Sequence, residues 1–153
     1  MKAIVITLTT IIFLYACDSI EQQRVVTEPE ENLEDLIELA DLYYNLDNFK
    51  EAILIFDRIL KMDTTNGEFF FKRAYCNAQI YNYKNSNIDY YKAIELNYRT
   101  DDAVFNLACN YAATQKDSLA LQYFLKAYEM NPQNKKALIE ASNMKWRLGL
   151  IEL

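Results

Sequence analysis

From Leu33 onward the sequence repeats with a period of 34 residues and no gap, so that residues 33–66, 67–100 and 101–134 align under one another. Ala40, Ala74 and Ala108 share one column, and Ala52, Ser86 and Ala120 a second. Phe56, Tyr90 and Phe124 form a third, and Ile59, Ala93 and Ala127 a fourth. A period of this length is neither one helix nor one strand. Each block has to be a supersecondary unit whose apolar face is covered by the next. Inside the blocks the apolar spacing is helical, as in Leu36, Leu39, Ala40 and Tyr43, or Val104, Leu107, Ala108 and Tyr111. Turn-prone segments mark the joints: NLDN at 45–48, DTTNG at 63–67, YNYKN at 81–85 and NPQN at 131–134. The pattern predicts three helical hairpins. Small residues let the two backbones of a hairpin approach where they cross, and the aromatic residue fills the wedge beside the crossing.

Composition agrees with a chain that is nearly all helix, because only two glycines and two prolines are available as breakers. The third block, NLACNYAATQKDSLALQYFLKAYEMNPQN, holds Ala108, Tyr111, Ala120, Phe124, Ala127 and Pro132. In this set of residues, and in its period, the chain resembles the tetratricopeptide repeat family. Departures are Leu36, Phe70 and Val104 in place of the family tryptophan, Thr64 and Tyr98 in place of proline, and Arg73 at a usually apolar place. The resemblance implies an all-α fold of helix-turn-helix units stacked as a short right-handed solenoid. After Asn134, Ala137, Leu138, Ala141, Ser142 and Leu148 keep helical spacing among Lys135, Lys136, Lys145 and Arg147. Residues 135–153 are therefore expected to form a capping helix with one polar side, followed by the apolar tail LGLIEL.

The N-terminal run Ala3 to Ala16 has fourteen residues without a charge, preceded by Lys2 and followed by Cys17 and Asp18. It is short of the roughly 20 apolar residues a spanning helix needs and suits the apolar region of a secretory signal. Leu14-Tyr15-Ala16-Cys17 resembles the lipobox of bacterial lipoproteins, Tyr15 being the departure from the usual small residue. That resemblance implies a signal peptide over residues 1–16 and a mature Cys17 bearing acyl chains of the palmitate kind, which hold the protein to the membrane. The polar stretch to Asn32, rich in carboxylates, then reads as a flexible acidic tether (17–32). The implied location is the bacterial cell envelope, with the folded part outside the cytoplasm. Inner or outer membrane stays open, and an uncleaved signal anchor with an incidental Cys17 is the alternative.

Several chemistries lack their residues. With no histidine, Ser-His and Cys-His pairs and His-containing zinc sites are excluded. Gly67 and Gly149 are isolated, so no phosphate loop exists, and DTTNGE at 63–68 fails the ligand spacing of a calcium loop. Glu30-Glu31 and Asp101-Asp102 read as solvated tether and helix start. A formal charge of −6 without a basic stripe argues against nucleic acid. No enzyme activity, metal or cofactor is expected. Cys76 and Cys109 should lie on neighbouring parallel helices, whose axes are about 8–10 Å apart, too far for a disulfide.

By the family resemblance, the first helix of each unit lines a concave face. This carries Glu34, Ile37, Asp41 and Tyr44, then Glu68, Phe71, Tyr75 and Ala78, then Asp102, Phe105, Cys109 and Ala112 into one groove. Glu34, Glu68 and Asp102 would make an acidic column beside an apolar one of Ile37, Phe71 and Phe105. Such a surface suits a peptide or protein partner with apolar anchors and Lys or Arg neighbours. The alternative is that Phe71 and Phe105 pack on each other or on the tether. Tyr81, Tyr83, Tyr90 and Tyr91 read as helix-packing residues. The expected function is a non-enzymatic protein-interaction scaffold or adaptor. A second reading is self-association through the open end and the LGLIEL tail.

Overall fold

The computed structural model describes residues 32–151. The expected signal peptide, Cys17 and nearly all of the tether lie outside the described residues. Seven helices and no strand occur among those described: α1 (Leu33–Asn45), α2 (Phe49–Met62), α3 (Gly67–Gln79), α4 (Tyr83–Glu95), α5 (Thr100–Ala113), α6 (Asp117–Met130) and α7 (Lys135–Arg147). Each helix packs on its neighbours in sequence, so α1/α2, α3/α4 and α5/α6 are hairpins stacked into a solenoid.

The period is written into the backbone as well as the side chains. Asp47, Tyr81, Gln115 and Gly149, spaced 34 apart, all take left-handed conformations with φ of 57°, 63°, 58° and 68°. At each, two bonds close the end of the preceding helix. Asn48, Asn82, Lys116 and Leu150 donate N–H to the carbonyls of Tyr43, Asn77, Tyr111 and Lys145 at 2.8–2.9 Å. Asp47, Tyr81, Gln115 and Gly149 themselves donate to Tyr44, Ala78, Ala112 and Trp146. This is the Schellman arrangement, which satisfies the last carbonyls of a helix and reverses the chain in three residues. Asparagines open three of the helices: the side-chain oxygens of Asn32, Asn66 and Asn134 accept from the N–H of Glu34, Glu68 and Ala137.

All four sequence columns are core. Ala40, Ala74 and Ala108, with Ala52, Ser86 and Ala120, are fully buried, and Phe56, Tyr90 and Phe124 fill the spaces beside them. Ser86, the one polar member, accepts a 2.7 Å hydrogen bond from Asn110 Nδ2, which also donates to Asn87 Oδ1. That bond joins the second hairpin to the third, and it satisfies a hydroxyl that burial would otherwise penalise. Gly67 begins α3 against the turn that joins α4 to α5. A Cβ there would stand 2.6 Å from Tyr98 Cβ, so a tyrosine at the place of the family proline requires glycine at the helix start.

Three expectations are corrected. The YNYKN segment is turn only at Tyr81 and Asn82, because α4 already begins at Tyr83. Among the four tyrosines expected to pack helices, Tyr90 is buried, whereas Tyr81 is 79% exposed. The third concerns the outer side of α7, which is mixed and not wholly polar: Leu138, Ile139 and Trp146 are exposed on it among Lys135, Lys136, Ser142 and Asn143. With Gly149 in the recurring turn, α7 has the register of a first helix in a fourth unit. Cys76 and Cys109 are free thiols, as their helix spacing required.

Candidate protein-binding groove

The repeat step brings the first helices α1, α3 and α5 side by side, and with them the residues expected to line a groove. Its acidic column is largely matched within the chain. Lys72 Nζ lies 2.8 Å from Asp41 and 2.7 Å from Glu68, bridging α1 to α3. Burial pulls the Lys72 ammonium down, but these two carboxylates outweigh it and leave it above the ordinary lysine value. Asp102 is held by Arg99 at 2.8 Å. Glu34 stands exposed at the open end of α1.

The apolar column divides. Phe71 is 6% exposed, edge-on to Tyr90 at 5.4 Å and Tyr98 at 5.8 Å, with the Arg99 guanidinium over its ring. It is a core residue, and its ring is not available as an anchor. Ile37 is half-buried against the first hairpin. Phe105 is also half-buried, tilted on Phe124 at 5.4 Å, with Lys136 Nζ 5.5 Å from its ring centre.

What the groove offers instead is a cavity of about 460 Å³ between the end of α3, the start of α4, α5 and the first turn of α7. Tyr75, Tyr81, Tyr83 and Phe105 supply its aromatic wall, and Asn106 and Lys136 its polar one. Tyr75 also meets Tyr44 at 5.5 Å and Phe49 at 6.0 Å, so its ring is positioned from the first hairpin. Tyr81 stands edge-on to Tyr83 at 6.3 Å. Cys109 reaches the cavity too, its thiol pushed up to about 11 mainly by burial. An apolar or aromatic side chain fits the aromatic wall, and Asn106 and Lys136 can bond to backbone or anionic groups beside it.

A tetratricopeptide-repeat family model matches residues 36–66 and 101–134. These two segments are tetratricopeptide repeats (TPRs). Solved TPR structures share the fold at low identity. A crystal structure of MamA superposes with a TM-score of 0.75 at 22% identity, over 84% of this chain and 75% of that one. The first TPR of Spaghetti (RPAP3), bound to the HSP90 peptide SRMEEVD, gives 0.70 at 21% identity over 76% and 93%. YrrB, described as a TPR protein with an unusual peptide-binding site, gives 0.67 at 19% over 83% and 66%. No curated protein matches by sequence.

The middle repeat, which the family model passes over, holds a polar cluster that the sequence reading missed. Arg73 on α3 donates through Nε and Nη2 to both oxygens of Asp89 on α4, and through Nη1 to Asp57 on α2, each at 2.7 Å. Asn77 Nδ2 donates to the Arg73 carbonyl, and Asn82 Nδ2 to Asn77 Oδ1. These groups line a second cavity, of about 290 Å³, with Ile53, Ile80 and Ile88. Burial pushes the Asp89 carboxyl up from its ordinary value, and the Arg73 fork pulls it back. The signal was present in the sequence, in an arginine at an apolar repeat position. Its carboxylate partners, 16 residues to either side, belong to other helices and have no local pattern.

Proposed function

We propose that this chain is a non-enzymatic adaptor whose TPR groove holds a segment of another protein, and that acyl chains on Cys17 anchor it in a bacterial envelope. The observation that supports binding most directly is the aromatic cavity bounded by Tyr75, Tyr81, Tyr83 and Phe105, with Asn106 and Lys136 at its edge. The TPR neighbours seen with HSP90 and HSP70 peptides make a peptide the natural class of occupant. The favoured segment inserts an apolar or aromatic side chain into the wall and places a polar or anionic group near Lys136. This replaces the cationic partner suggested by the acidic column, since two of its three members, Glu68 and Asp102, already have cations. No enzyme family is indicated by the comparisons.

The test is photo-crosslinking in cells, with the reactive group placed at Tyr81 in the groove or at Leu54, exposed on α2. A protein trapped from position 81, absent from position 54 and lost with Phe105→Glu, supports the groove. Equal capture from both positions refutes it. For the anchor, mass spectrometry of the mature N-terminus should find acylated Cys17. A free Met1 or an unmodified cysteine rejects that half of the reading.

A further inference from the structure

The register of the repeat continues through α7. Leu138 and Ser142 occupy the places of Leu36 and Ala40, Phe70 and Ala74, and Val104 and Ala108. In the first three units that face is closed by the unit's own second helix, which buries all three alanines completely. Among the described residues nothing closes it on α7, where Leu138 is 43% exposed; beside it, at the groove positions of Ile37 and Tyr44, Ile139 and Trp146 are 60% and 51% exposed. Lys135 and Lys145 flank them. At the other end of the stack α1 presents Asp35, Glu38, Leu42 and Leu46 on one outward stripe, the two leucines 53% and 59% exposed. Helix α1 holds four carboxylates and no cation, whereas α7 holds four cations and one carboxylate.

We infer that α1 of a second copy docks on the open face of α7, so that copies join end to end. The apolar residues of each end match in kind, and the charges match in opposite sign. The covering helix of a hairpin runs antiparallel to its partner. In that orientation Asp35 and Glu38 meet Lys145, while Leu42 and Leu46 meet Leu138 and Ile139. Like faces pair poorly: two copies of α7 would set cations against cations, and two of α1 carboxylates against carboxylates. Because the two contacting surfaces differ, the contact is heterologous, and it propagates into a ring or an open filament. Burial of Leu42 and Leu46 against Leu138 and Ile139 supplies the attraction, and the charges select the pairing and make it salt-sensitive.

Sedimentation velocity of the full chain in one mild detergent, over a wide concentration range, tests this. Wild type should form a concentration-dependent series beyond the dimer, weakened by salt. Leu138→Glu and Leu42→Glu, on opposite ends, should each weaken association by at least about tenfold with unchanged far-UV circular dichroism. Mixing the two variants leaves one intact face on each partner, and it should restore dimers and nothing larger. A monomeric wild type at near-millimolar concentration overturns the inference. So does a Leu42→Glu chain that still dimerises, which would place α7 against α7. Association unchanged by both variants also overturns it and moves the contact to another part of the chain.

Discussion

Replacing Arg73 by methionine should cost far more than an ordinary surface ion pair is worth, and the structure sets the scale. Asp89 has a side chain only 5% exposed and receives two bonds from the guanidinium, while Asp57 receives one and is 47% exposed. Removing the arginine leaves Asp89 as a buried charge without its counter-ion, a loss of about 3–5 kcal/mol. Removing the Asp57 contact alone, as Asp57→Asn, should cost no more than about 1 kcal/mol, because water replaces it. For a folded part of this size, 1 kcal/mol corresponds to a Tm shift of about 3–5 °C, so Arg73→Met should melt about 9–25 °C below wild type. The double change Arg73→Met/Asp89→Leu should recover most of that, since apolar residues of similar volume replace a buried pair at little cost. Acidification supplies a sign test. Without Arg73, burial and then the Asp57 carboxylate act on Asp89 and raise its folded-state pKa, so the penalty is present at neutral pH and fades as pH falls through that raised value. The gap between Arg73→Met and wild type should therefore narrow toward acid. Thermal and urea unfolding followed by circular dichroism would measure all of this. A single variant within about 1 kcal/mol of wild type, or a double variant no better than the single, would refute the reasoning.

Phe71→Ala should destabilise by about 3–5 kcal/mol as a core truncation, and Phe105→Ala, half-buried at the groove, by clearly less. Equal urea midpoints for the two would contradict the division of the apolar column. Gly67→Ala should cost about 1–3 kcal/mol, because the added methyl meets Tyr98 Cβ and that atom cannot swing away. A gain in stability, as when alanine merely restricts the unfolded chain, would show that the turn yields. Burial raises the Cys76 thiol to about 12 and the Cys109 thiol to about 11, from an ordinary 9.0. Both keep their protons in the folded state after the unfolded chain has released them. Their contribution to stability is complete below pH 9 and lost as pH rises from there through 11 to 12. Urea midpoints should fall over that window, and a flat profile to pH 11 would oppose it.

The sequence alone determined the repeat, its hairpins and which columns are core. These follow from local facts: the helical spacing of apolar residues, alanines where backbones cross, and the same positions returning after 34 residues. It also determined that no histidine chemistry is available. Three matters were decided only by the tertiary structure. Phe71 and Phe105 occupy equivalent repeat positions, yet Phe71 alone is enclosed, because Tyr98 and Arg99 fold over it from the following turn. Glu34, Glu68 and Asp102 look like a bare acidic column in one dimension, yet Lys72, which also reaches across to Asp41, holds Glu68, and Arg99 holds Asp102. The exposed side of α7 carries Leu138 and Trp146, although its cations suggested a polar cap. Helical period reports which side chains share a face. Whether that face is covered depends on residues distant in sequence, whose approach is set by how the hairpins stack.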